Sequence, residues 1–380
     1  MTSKPEITPA ASVLLNQIVK EMENKGEKIC KLHIGEPEIP THANIKDALY
    51  DAVDSDITKY GNTSGLFDLR KKIVESLRLC KFDETQVQIC QGAIGALNNI
   101  FSSVILPGDE VLCLSPFWPT VESQINKCNG TVKHVDLYDF TVKLDLFERH
   151  ITPKTTAIYL NNPNNPTGYK LTPAELGRLL SIAQKHDLYL VSDEVYSSFY
   201  PSNDKSLLEC FKYYKFIYVN SFSKTYAMTG WRLGYCIASD NIIRKINALS
   251  SINVTNVPEF VQIAGMKALT DTCVEKYMST YSKKLEKRII QINKLLDDNN
   301  IEYYRGNYGF YRFIKIPAKI SDTEFCKRLL TERGVCVVPG SSYGPSGTGY
   351  IRVSVCANEA DLMTGIQSII SFISELRRYG

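Results

Sequence analysis

Between Ile45 and Ala268 the chain alternates helical periodicity with short, continuously apolar runs, and this alternation narrows the fold more than any other feature. Residues 87–90, 111–114, 132–135, 157–160, 188–192, 216–220 and 234–238 read as strands. Most are apolar throughout, as expected where helices cover both faces of a sheet. The helices between them are well marked. Thr172-Pro173-Ala174-Glu175 is a capping box with proline at the first helical position, opening a helix that runs to about residue 186. The pattern predicts α/β architecture.

Beyond Asp271 the rhythm changes to a long charged helix over 274–297, then strands at 310–316, 335–338 and 350–355. Helices at 322–333 and 359–378 alternate with these strands. This predicts a smaller α+β unit, completed by an amphipathic N-terminal segment at 12–22. The expected division is 1–44 joining the small unit, 45–270 as the large domain, and 271–380 as the small C-terminal domain. A chain of 380 residues is long enough for two cores of unequal size.

Composition removes several functional classes. The net charge of +3 gives no electrostatic footprint for nucleic acid. Eleven cysteines run from Cys30 to Cys356 without a Cys-x-x-Cys pair or metal-ligand spacing. That favours reduced thiols in a cytoplasmic chain, mostly as small core residues. The polar start, Met1 to Ala11, lacks the apolar centre of a signal peptide. No apolar stretch reaches the roughly 18 residues needed to span a bilayer.

Ligands of open α/β sheets bind outside the carboxyl ends of the strands. Gln91-Gly92-Ala93-Ile94-Gly95 follows the first predicted strand and turns into a helix. Asn161-Asn162-Pro163-Asn164-Asn165-Pro166-Thr167-Gly168 follows the run at 157–160, and Asp193-Glu194-Val195-Tyr196 follows 188–192. Ser221-Phe222-Ser223-Lys224 follows 216–220, with Arg232 beyond. Helix-start amides, hydroxyls and a guanidinium suit an anion. Taken singly, Lys224 reads as a surface residue, Asp193 as a helix cap and Asn165-Pro166-Thr167-Gly168 as a turn. Their appearance at successive strand ends points to one site.

The run Ser221-Phe222-Ser223-Lys224-Thr225-Tyr226-Ala227-Met228-Thr229-Gly230-Trp231-Arg232-Leu233-Gly234-Tyr235 resembles the pyridoxal 5′-phosphate (PLP) lysine signature of the class I/II aminotransferases, of fold type I. Asn165-Pro166-Thr167-Gly168, Asp193-Glu194-Val195-Tyr196 and Tyr350-Ile351-Arg352-Val353-Ser354 are similar to three further signatures of that family, in the same order. The likeness extends from Gly35-Glu36-Pro37 to the terminal helix. It implies a large domain with a seven-stranded, mostly parallel sheet in an α/β/α sandwich, beside a smaller α+β domain.

The resemblance also implies roles. Lys224 forms the imine with PLP and later moves the proton between Cα and the cofactor. Asp193 keeps the pyridine nitrogen protonated. Tyr196 and Asn165 bond the ring's phenolic oxygen, and Trp118 stacks on the ring. The phosphate sits on the Ala93 and Ile94 amides, Ser221, Ser223 and Arg232. Tyr60 reaches the phosphate of a neighbouring subunit, which implies a homodimer. Arg352 binds the substrate α-carboxylate with Gly35 beside it, and Trp118 and Asn165 also border the substrate. The implied activity is amino transfer between an L-amino acid and a 2-oxo acid through pyridoxamine phosphate.

Two other outcomes share parts of this pattern. Elimination, replacement or cyclisation at Cβ or Cγ begins with the same deprotonation, and the shared motifs do not separate it from transamination. A non-catalytic, ligand-sensing relative would carry a DNA-binding domain ahead of the fold, whereas about forty residues precede the large domain here. Ile94 stands where some relatives that take dicarboxylic substrates have lysine, which argues weakly against aspartate as donor. Ile39, Tyr308 and the partner's Tyr60 are further expected lining residues. Glu36 or Glu38 is a candidate for meeting a basic side chain, and Asn253, Thr255 and Asn256 for polar contacts.

Overall fold

The computed structural model describes residues 11–79, 82–136, 144–199, 206–306 and 308–378, so the polar stretch 1–10 lies outside the described residues. The central sheet holds β2 (Val87–Cys90), β3 (Glu110–Ser115), β4 (Thr131–Asp136), β5 (Thr155–Asn161), β6 (Tyr189–Asp193), β7 (Phe216–Ser221) and β8 (Gly234–Ile237). They follow β1 (Cys30–Lys31) in the chain. The seven strands lie in the order β2-β8-β7-β6-β5-β3-β4. Only β8 is antiparallel to its neighbours, β2 and β7. The other pairs are parallel, which requires crossover helices such as Pro173–Lys185 between β5 and β6.

The continuous apolar runs have a direct cause. Along β5, Ile158 and Leu160 enter one apolar cluster while Ala157 and Tyr159 enter another. Successive side chains point to opposite faces, so a sheet covered twice needs apolar residues at every position. The capping box also forms as expected: Thr172 accepts from the Glu175 amide, and the Glu175 carboxylate accepts from the Thr172 amide.

Beyond the central sheet the chain forms the helix Thr272–Asp298, whose N-cap Asp271 accepts from the Cys273 and Val274 amides. The strands after it are β9 (Tyr311–Lys315), β10 (Val335–Cys336), β11 (Val338–Pro339) and β12 (Tyr350–Ser354). One departure from expectation occurs here. The predicted run 335–338 divides, with β10 pairing with β1 in parallel and β11 joining the antiparallel sheet β11-β12-β9. Partner geometry, which the local run does not encode, changes at Val337. The N-terminal helix Ala11–Asn24 buries Val19 against Ile29, Leu330 and Cys336, tying the chain's beginning to its last third. No described helix is long and apolar enough to cross a membrane.

Candidate active site

The strand ends converge on one cavity of about 620 Å³. It is lined by Gly35, Ala93, Ile94, Trp118, Asn165, Asp193, Tyr196, Ser221, Ser223, Lys224, Arg232 and Arg352. These are all of the residues expected to meet the cofactor or the substrate α-carboxylate except Tyr60.

Lys224 lies in the single turn Phe222–Thr225 that follows β7. Its Nζ donates to the Gly35 carbonyl at 2.5 Å. Removal from water pushes its pKa down to about 8, because burial disfavours the ammonium. At neutral pH such an amine is far more often free than an ordinary surface lysine.

Asp193 ends β6 and is buried. Its Oδ2 accepts from the Tyr159 hydroxyl at 3.0 Å, and Oδ1 receives a long bond of 3.4 Å from the Val195 amide. Burial pushes the carboxyl up to about 7, opposed by these two donors. Among the described residues no Lys, Arg or His forms an ion pair with it. A buried carboxylate without a cation is costly, so the site suits a cationic or protonated ligand atom.

Another part of the cavity lining suits an anion. The helix Gly92–Val104 starts without a side-chain cap, leaving its first amides open. Gly92 has φ +68°, and a Cβ there would lie 2.5 Å from Arg232 Nη2. Glycine therefore lets the guanidinium reach the helix start. Ser221 and Ser223 join through their hydroxyls at 2.9 Å at the same edge.

Arg352, on β12, is buried. Its guanidinium lies 4.3 Å from the Tyr311 ring centroid and donates to the His33 carbonyl at 2.5 Å and to Asn165 Oδ1 at 3.4 Å. Arg352 Nε has no partner among the described residues, which leaves donor capacity for a carboxylate. Tyr196 shares a 3.1 Å hydrogen bond with Tyr311, and burial raises its pKa well above the usual phenol range.

Several expected lining residues lie elsewhere. Tyr308 borders a separate hollow with Tyr226 and Met278, and Ile39 a shallow one with Trp231. Asn253, Thr255 and Asn256 line a smaller recess that shares Ile94 with the main cavity. Glu36 does line the cavity, but Glu38 does not. The Glu38 carboxylate instead accepts from the Tyr281 hydroxyl at 2.6 Å and pairs with Arg288 at 2.8 Å. Tyr60 is 88% exposed and outside its own chain's cavity.

Sequence reasoning missed Tyr311, His33 and the helix face of Ser12, Asn16 and Lys20, all of which line the cavity. Tyr311 sits in a recognised strand, yet no local signal marks which strand faces a ligand. His33 is fully buried, with neither ring nitrogen bonded among the described residues. Burial and the Arg352 charge push it down to about 4, so it is neutral.

This fold, with a half-buried lysine of lowered pKa, a buried carboxylate paired with no described cation and an anion cradle around one cavity, defines an α/β enzyme of fold type I. The chain belongs to the aminotransferase class I and II family, whose model matches residues 27–369. Members of that family are generally PLP-dependent, and this chain is an aminotransferase. It is 32% identical to the aspartate aminotransferase of Sulfolobus acidocaldarius, over 98% of this chain and 97% of the relative. It is 33% identical to aromatic-amino-acid aminotransferase 2 of Thermococcus litoralis, over 86% of this chain and 87% of the relative. The solved aspartate aminotransferase of Thermus thermophilus with maleate superposes with a TM-score of 0.90 at 28% identity, covering 96% of this chain and 97% of that one.

Proposed function

We propose that this cavity binds PLP at Lys224 and transfers an amino group between an L-amino acid and a 2-oxo acid. The observation that carries the reading is the placement of a depressed lysine amine, a buried carboxylate that pairs with no cation among the described residues and an uncapped helix start around one cavity. When bound, the cofactor supplies an electron sink for the pair left by Cα deprotonation. Lys224 holds the cofactor and moves the Cα proton. Asp193 holds the ring nitrogen in its protonated state, while Tyr196 and Asn165 face the phenolic oxygen and Trp118 one ring face. The Ala93 and Ile94 amides, Ser221, Ser223 and Arg232 receive the phosphate.

Arg352 takes the substrate α-carboxylate as a fork, beside Gly35. In this reading residues 1–44 and 271–380 form one unit and 45–270 the other. Support comes from the pairing of β1 with β10 and from the Ser354 amide donating to the Leu32 carbonyl at 2.8 Å. A substrate held by Arg352 and Lys224 then spans both units, and their closure excludes water. Tyr60, exposed in its own chain, completes a partner's phosphate site in a homodimer.

Borohydride reduction of the PLP-loaded protein followed by peptide mapping tests the attachment. The expected result is a pyridoxyl group on Lys224, and label on another lysine overturns it. Absorbance-monitored half-reactions across the amino acids test the chemistry. No spectral change with any donor, in protein that holds PLP, overturns amino transfer.

A further inference from the structure

We propose that Tyr159 is a positioning residue whose hydroxyl holds the Asp193 carboxylate ionised and oriented toward the cavity. This rests on the reading that Asp193 faces the cofactor's ring nitrogen. Tyr159 lies on β5, and the parallel register opposes Tyr159 to Val191 and Asn161 to Asp193. With a side-chain period of two, Tyr159 and Asp193 occupy the same face as diagonal neighbours across the two strands. Ala157, Val191 and Val219, which share the apolar cluster of Tyr159, are purely apolar side chains. Tyr159 is the position in this layer that brings a hydroxyl to the end of β6.

The phenol is 1% exposed, and its ring is anchored edge-on against Phe101 at a centroid distance of 6.1 Å. The hydroxyl therefore has a fixed origin, and it donates to Asp193 Oδ2 at 3.0 Å. Neighbouring asparagines satisfy the backbone of Asp193 without touching its carboxylate. Asn161 Nδ2 donates to the Asp193 carbonyl at 3.0 Å, and the Asn162 amide donates to it at 2.9 Å. Oδ2 is thus engaged by the phenol, while Oδ1 has only the long Val195 contact and is free to meet a ligand.

The energetic consequence follows from the donor's direction. A hydrogen bond to a charged oxygen favours carboxylate over carboxyl. In the loaded enzyme one proton is shared between a ring nitrogen and Asp193. The Tyr159 hydroxyl biases that proton toward the ring nitrogen, where it makes the ring a better electron sink. Loss of this one oxygen shifts the proton toward Asp193.

The test uses full-length protein loaded with PLP labelled with ¹⁵N at the ring nitrogen. Tyr159→Phe, which keeps the ring packing, is expected to move the ¹⁵N signal toward that of neutral pyridine. It is also expected to lower kcat on the order of tenfold or more, with little change in donor KM. An unchanged ¹⁵N signal overturns the proposal, whatever happens to kcat. Asp193→Asn measured alongside separates the two readings. If Asp193→Asn moves the signal and Tyr159→Phe does not, only the role of Tyr159 fails. If Asp193→Asn leaves the signal at its wild-type position, the Asp193 reading fails and this proposal with it. Should Tyr159→Phe load poorly, the pH dependence of PLP binding decides. A midpoint moved upward supports the proposal, and an unmoved midpoint overturns it.

Discussion

Replacing Asp193 with asparagine should make the cofactor-free protein more stable at neutral pH while weakening its hold on PLP. Burial raises the Asp193 carboxyl from 3.8 to about 7. That is about three units, and at about 1.4 kcal/mol per unit it sets an upper bound of about 4 kcal/mol on the cost of holding the carboxylate charged. The sign follows from proton uptake. Between pH 3.8 and about 7 the unfolded chain has already released the proton that the folded site retains. Stability from this group is therefore full below the lower value and is lost as pH rises through the upper one. Asparagine preserves an oxygen acceptor for the Tyr159 hydroxyl but carries no charge.

A chain of 380 residues loses entropy in proportion to its length, so 4 kcal/mol corresponds to roughly 5 °C in Tm. Thermal unfolding of cofactor-free wild type and Asp193→Asn at pH 8 should show the variant higher by about that amount or less. At pH 4 the difference should nearly vanish. Adding PLP should reverse the order at pH 8, because a protonated ring nitrogen compensates the charge in the wild type alone. A cofactor-free variant no more stable than the wild type at pH 8 would refute the argument that Asp193 is an unneutralised buried carboxylate.

Other outcomes follow from the same site. With its pKa near 8, cofactor-free Lys224 should be free amine at pH 8 about a hundredfold more often than a lysine at 10.5 and, after its weaker intrinsic nucleophilicity, react with an amine-selective reagent on the order of tenfold faster; mass-spectrometric labelling at the ordinary surface rate would contradict this. Arg352→Lys keeps the charge but loses the fork, so donor KM should rise on the order of tenfold or more, and steady-state kinetics would read an unchanged KM as evidence against a bidentate contact. Tyr60→Phe should weaken PLP affinity by about tenfold although Tyr60 lies outside its own chain's cavity; equilibrium titration showing wild-type affinity would remove the partner's contribution.

The sequence by itself determined the alternation of helix and strand, because both faces of the central sheet are buried and each strand must be apolar throughout. It also determined the residues at strand ends, since Asp193, Ser221 and Lys224 stand where a parallel sheet opens to ligand. Their chemical types, an acid, a hydroxyl and an amine at neighbouring strand ends, point to one ligand site. The tertiary structure decided what comes from far along the chain. Tyr311 and His33 reach the cavity through the packing of β9 and the segment after β1, and neither has a local signal. Glu38 stood beside Glu36 in sequence, yet pairing with Arg288 and Tyr281 takes it out of the cavity. The run 335–338 divided between two sheets for the same reason, since partners rather than propensity choose strand pairing. Tyr159 shows the limit most directly. In sequence it is one more aromatic in an apolar strand, and only the register of β5 against β6 turns its hydroxyl into a partner for Asp193.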